Sequence, residues 1–169
     1  IINSGTYVVT ANVGGCSPLA SVNIVVANKA GTIDLDGVDD VLTRPTNTSL
    51  DIRDAITLES WIYPTSSSPS VQSVMGKSSR AENNSYIFPR TNDGWNSLNF
   101  YLHLNGQWNV LTVTEFNGLN KWHHVAATYD GFFMRIYVDG VLKASQEATG
   151  RITENVNAFT IGNQPGFTE

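Results

Sequence analysis

Basic residues are scarce in this chain: Lys and Arg total 10 against 15 Asp and Glu over 169 residues, a formal net charge of −5. Nucleic acid and anionic bilayers need a concentrated positive surface, so neither is expected as a partner. No apolar run approaches the roughly twenty residues of a membrane-spanning helix, so no membrane insertion is expected. The opening IINSGTYVVTANV alternates apolar and polar positions and has no basic stretch, which does not describe a signal peptide. An export address, if there is one, lies upstream. Cys16 is the single cysteine, compatible with a reduced compartment or with a bridge to a residue outside this stretch. Long helical periodicity is missing as well. What remains, abundant Ser, Thr and Asn with four Trp, has an extracellular cast.

Strand patterns fill the space that helices leave. TYVVTANV and ASVNIVVAN, separated by the turn-rich GGCSPL, read as one hairpin over residues 6–27. KAG then resembles a short linker, and a new pattern starts at Thr32. From there short strands recur at about ten-residue spacing: AITLESWIY, VQSVMGK, SYIFPRT, SLNFYLHL, WNVLTVTEF, KWHHVAATY, FFMRIYV, GVLKAS and AFTIG. Between them sit PTSSSPS, NDG, LNGQ, FNGLN, YDG and VDG. Asp-Gly pairs tolerate the positive φ of tight hairpins. Regular strands without intervening helices predict an all-β sandwich.

Period-2 alternation assigns the faces. Leu98, Phe100 and Leu102 oppose Asn99, Tyr101 and His103; Met134, Ile136 and Val138 oppose Phe133, Arg135 and Tyr137. Ile56, Leu58 and Ile62 oppose Thr57, Glu59, Trp61 and Tyr63. Each strand thus has a core side and an outer side mixing rings with polar groups.

KWHHVAATYDGFFMRIYVDG, residues 121–140, resembles the core hairpin of laminin-G-like, concanavalin A-like jelly roll domains. IDLDGVDDVLTRP followed by AITLESWIYP is similar to that family's opening strands. The resemblance covers about residues 31–166 and implies a jelly roll of two antiparallel sheets. It also implies a closing strand with an apolar-Asp-Glu pattern beyond IGNQPG, which residues up to Glu169 do not include. The first 27 residues resemble the last two strands of an immunoglobulin-like repeat of bacterial surface adhesins, with Tyr7 as a tyrosine corner and Cys16 on the final hairpin. Both residues also suit an ordinary hairpin. The expected organisation is an immunoglobulin-like end over residues 1–29 and a laminin-G-like domain over 30–169. Together these imply part of a larger multidomain protein, extracellular or at the cell surface, with glycan or a cell-surface protein as partner.

Residues 34–40, DLDGVDD, crowd four aspartates into seven positions. At roughly 6 Å and near-aqueous screening, each neighbouring pair costs on the order of 1 kcal/mol. This is no EF-hand loop, because Val38 and Pro45 stand where ligands belong. Dense carboxylates still suit Ca²⁺, and the resemblance implies Asp36, Asp39 and Asp40 as ligands of a structural calcium. A solvated turn, with Asp39 or Asp40 capping backbone N–H groups, also fits.

Catalysis finds less support. A glycosidase of this shape needs an acid and a nucleophile about 5 Å apart, and no Glu-x-Asp-x-x-Glu arrangement occurs. His123 and His124 point to opposite faces, so they cannot chelate jointly. No catalytic residue is therefore expected. Sugar sites combine rings that stack on C–H faces with groups that grip hydroxyls. Asn99, Tyr101 and His103, with Trp95, Trp108 and Arg90 near them, supply those ingredients. The alternative is that Trp95 and Trp108 seal the sandwich edges and Tyr101 packs under a loop. Trp61 and Trp122 are assigned to structure, on the core strands implied by the resemblance.

Overall fold

The computed structural model describes residues 31–36, 40–68, 70–78 and 84–162. The expected hairpin of residues 6–27, with Tyr7 and Cys16, lies outside them, and so does Asp39. The chain divides into two compact units, Ile1–Asp36 and Gly37–Glu169, and the sandwich belongs to the second.

Its strands are β1 (Val41–Arg44), β2 (Ile56–Ile62), β3 (Gln72–Ser78), β4 (Asn84–Thr91), β5 (Leu98–Leu104), β6 (Gln107–Val113), β7 (His123–Tyr129), β8 (Phe133–Val138), β9 (Val141–Glu147) and β10 (Phe159–Gly162). They form a six-stranded sheet in the order β1-β10-β3-β4-β5-β6 and a four-stranded sheet in the order β2-β7-β8-β9. Every pairing is antiparallel. The helical content of the described residues is one 3-10 turn at Thr48–Leu50, where Asn47 Oδ1 accepts from the Ser49 N–H. This is the all-β sandwich that the strand spacing predicts, in the jelly roll form that the resemblance implies.

The turns follow from their residues. Asn105-Gly106 between β5 and β6, and Asp139-Gly140 between β8 and β9, both have positive φ at each position, the geometry that matches strand twist in a two-residue hairpin. Asp130 works differently: its Oδ1 accepts from the Phe132 and Phe133 N–H groups, closing the turn through the side chain.

The core sits where the alternation puts it. Leu98, Phe100 and Leu102 of β5 face Val125, Ala127 and Tyr129 of β7 and Met134, Ile136 and Val138 of β8, all buried. One feature escapes hydrophobic patterning. Lys77, fully buried on β3, donates from Nζ to Asp51 Oδ1 (2.7 Å), to Asn155 Oδ1 (3.1 Å) and to the Asn155 carbonyl. Asn155 Nδ2 returns a bond to the Lys77 carbonyl (2.9 Å). A buried ammonium is tolerable only when its protons are all used, and here they are. The network ties β3 to the segments around Asp51 and Asn155.

Candidate functional site

The outward side of β4, β5 and β6 gathers most of the residues expected to bind sugar. Register sets Arg90 opposite Asn99, Asn99 opposite Thr112, Tyr101 opposite Val110, and His103 opposite Trp108. Side chains of one pleat row therefore share one surface. Trp108, 40% exposed, is the open platform. Tyr101 and His103 meet it edge-on, with ring centroids at 5.7 and 5.1 Å. The Arg90 guanidinium lies 4.6 Å above the Tyr101 ring, a cation–π contact that leaves a positive charge beside the rings. No Asp or Glu occurs anywhere in β4, β5 or β6, and Arg90 is their single Lys or Arg.

Two expected residues have other tasks. Asn99 is buried, its Nδ2 donating to the Arg90 carbonyl (3.0 Å) and its Oδ1 accepting from Thr112 Oγ1 (2.7 Å). With both ends of the amide engaged, it fixes the strands beneath the surface and offers no amide to a ligand. Trp95 is 6% exposed, and its Nε1 donates to Gln72 Oε1. It sits at φ 65° in the β4–β5 connection, which Asp93 braces by accepting from the Asn96 and Ser97 N–H groups (3.1 and 3.0 Å). Gly94 is required beside it, since a Cβ there would lie 2.6 Å from the Ser67 carbonyl oxygen. Trp95 packs into the core and is withdrawn from the outer side of β4–β6.

His103 is half-buried, and desolvation holds its imidazole below the ordinary 6.5, so the ring is neutral near pH 7. Its Nδ1 is buried and has no hydrogen-bond partner among the described residues.

The other histidines separate as the alternation predicts. His123 Nδ1 pairs with Asp139 Oδ2 (2.8 Å), while Asp139 Oδ1 accepts from the His124 N–H (2.9 Å). The hydrogen bond with His123 holds the Asp139 carboxyl below its usual range. A cleft of about 430 Å³ opens beside this pair, edged by Glu115 and Lys143. Because both Asp139 oxygens are engaged, the carboxylate clamps the β8–β9 turn. His124 turns the other way, onto Trp61 (ring centroids 5.4 Å). Trp61, which the alternation sets on the outward row, is 66% exposed and Trp122 50%, on the outer face of the four-stranded sheet. The strand is a core strand, but these rings stand on its wet side.

Of the acidic cluster, Asp36 and Asp40 are described and exposed, and Asp39 is outside the described residues. Their carboxylates are hard oxygen donors of the kind Ca²⁺ takes.

The chain belongs to the concanavalin A-like lectin/glucanases superfamily, whose family model matches residues 36–169. Among solved structures it is similar to domains LG4-5 of the mouse laminin alpha1 chain, at TM-score 0.58 and 15% identity, covering 76% of this chain and 32% of that one. It is also similar to the binding domain of botulinum neurotoxin DC in complex with SialylT, at TM-score 0.57 and 17% identity, covering 72% and 31%. A third is the CBM40 of the Ruminococcus gnavus IT-sialidase bound to alpha2,3 sialyllactose, at TM-score 0.56 and 17% identity, covering 69% of this chain and 68% of that one. This chain thus spans about a third of the length of the first two. At such identities the likeness establishes the fold. A search of curated proteins finds no significant match. No helix among the described residues is long and apolar enough to cross a membrane.

Proposed function

We propose that this domain is a non-catalytic, extracellular carbohydrate-binding module whose binding surface is the outer side of β4–β6. The observation that carries the reading is the assembly of Trp108, Tyr101, His103 and Arg90 on one solvent-facing surface without a carboxylate. Trp108 would stack on the C–H face of a sugar, and neutral His103 would exchange hydrogen bonds with hydroxyls. Arg90, cationic and already aimed by Tyr101, suits a saccharide bearing a carboxylate or sulfate. That two similar folds were solved with sialylated sugars supports glycan as the ligand class. The same module serves equally in an adhesin or beside a polysaccharide-degrading domain. A host sequence with tandem repeats and a sorting tail favours the first, one with a glycosidase or lyase domain the second.

Asp36, Asp39 and Asp40 are the residues that would hold a structural Ca²⁺. Bound there, the ion would neutralise their mutual repulsion. At extracellular calcium and matching affinity this adds only about 0.4–1.5 kcal/mol, so folding would not depend on it.

A glycan array rich in acidic saccharides tests the assignment. Wild-type protein should be retained on a subset of acidic glycans, and Trp108→Ala should lose roughly tenfold in affinity while keeping its melting temperature. A blank array for the intact chain would overturn the β4–β6 assignment and favour a structural spacer over a lectin at that surface.

A further inference from the structure

The outer face of β2 and β7 presents a second set of rings that the β4–β6 surface does not use. Trp61 and Tyr63 project outward from β2 and its end; Trp122 and His124 do so from the start of β7. Trp61 lies opposite His124 in register. The rings form two tilted pairs, Trp61 with His124 and Tyr63 with Trp122, each with centroids 5.4 Å apart and planes inclined by 54° and 51°. Tyr63 is 44% exposed, so three large aromatics stand in water at one corner of the sheet. Desolvating that much ring surface is a gain available only to a ligand.

We infer that this face is a second saccharide-binding surface, selective for neutral sugars, with Trp61, Tyr63 and Trp122 as stacking rings and Glu59 and His124 as hydroxyl partners. Two observations favour sugar over a protein partner. The patch spans two strands, roughly 10 Å across, far below the roughly 800 Å² per side of a stable protein interface. Glu59, its side chain 63% exposed and 3.7 Å from His124 Nε2, places a carboxylate next to the rings. Neither β2 nor β7 contains Lys or Arg, and Arg135 of β8, opposite Thr128, is paired with Asp130 (2.6 Å). A carboxylate accepts from sugar hydroxyls and repels acidic sugars, so the selectivity is the reverse of that at Arg90. The small Ala126, opposite Glu59, keeps the floor of the patch low.

The inference stands apart from the β4–β6 reading, and one experiment separates them. The full chain is run by affinity electrophoresis through gels containing laminarin, xyloglucan or galactomannan, and through a polygalacturonate gel. Wild-type protein should be retarded in a neutral gel. Trp61→Ala and Trp122→Ala should each reduce that retardation roughly fivefold or more, and Trp108→Ala should leave it unchanged. Glu59→Gln, which keeps both rings, should weaken neutral retention and, with the repelling charge gone, increase retardation in the polygalacturonate gel. Free migration of wild-type protein through every neutral gel would overturn the inference. So would neutral retention that Trp108→Ala abolishes and Trp61→Ala spares, whatever the acidic gel shows.

Discussion

Strand β5 turns Tyr101 and His103 outward against Trp108, and strand β2 turns Trp61 outward toward His124; the same alternation builds both surfaces, yet they differ in openness and in charge. On β4–β6 the rings meet edge-to-face and a guanidinium covers one of them. On β2–β7 they meet at a tilt, with more ring surface exposed, beside a carboxylate. The contrast teaches that a sandwich supplies generic ring platforms wherever an outward row holds aromatics. On the proposed reading, the charge beside the rings, Arg90 on one surface and Glu59 on the other, would set what each platform accepts.

The largest effect comes from removing the support common to both faces. Asp51→Ala strips Lys77 of its carboxylate and leaves a buried ammonium short of a partner. It should cost about 3–5 kcal/mol in urea denaturation and weaken both surfaces together. Adding Lys77→Met, which exchanges the charge for apolar bulk, should recover most of the loss. A loss below about 1 kcal/mol would mean that the network is incidental to stability.

Arg90→Gln should next split the faces. Losing one charged hydrogen bond should cut acidic-glycan affinity roughly tenfold, and it should flatten the salt dependence. Retardation in neutral gels should not move. Equal losses on both would show that Arg90 acts through the fold and not through the ligand.

Acid sharpens the comparison from another side. The folded-state value of His103 lies below its ordinary 6.5, so the unfolded chain takes up this proton first as pH falls. The stabilisation is complete above pH 6.5 and drains away as pH drops from there through the folded-state value. His103→Gln should remove that part of the slope in melting temperature against pH. An unchanged slope would place its origin elsewhere.

The smallest expected effect is that of calcium. EDTA should lower the melting temperature by a few degrees, and Asp39→Ala should erase the difference. Superimposable curves with and without the ion would leave the aspartates as a solvated turn.

Much of this was legible in the chain. The strands AITLESWIY, SLNFYLHL and FFMRIYV fold within a residue or two of their expected limits, because their buried rows repeat at period 2 and Asn-Gly or Asp-Gly closes the turns. Arg90, Tyr101, His103 and Trp108 were legible as a group because neighbouring strands in a meander must pair. Trp95 was not: only the positive-φ connection around Gly94 shows that its ring turns inward. Asn99 hid its role because a side-chain amide offers itself equally to sugar and to a neighbouring backbone. Lys77 lies in a stretch of mixed character, and its partners Asp51 and Asn155 are far away in sequence. Trp61 is the instructive case. ITLESWIY sets it opposite Ile62, so its outward side was readable; assigning it to structure weighed the strand's place in the family and not the exposure of the ring.

The sandwich is two sheets thick, and its ring-bearing rows look away from each other. A short oligosaccharide cannot touch both. Two separate polymers can, one on each side, which would make a single copy of the module a cross-link. A suspension of one acidic and one neutral polysaccharide should then turn viscous on addition of the protein, with no second copy needed at any junction.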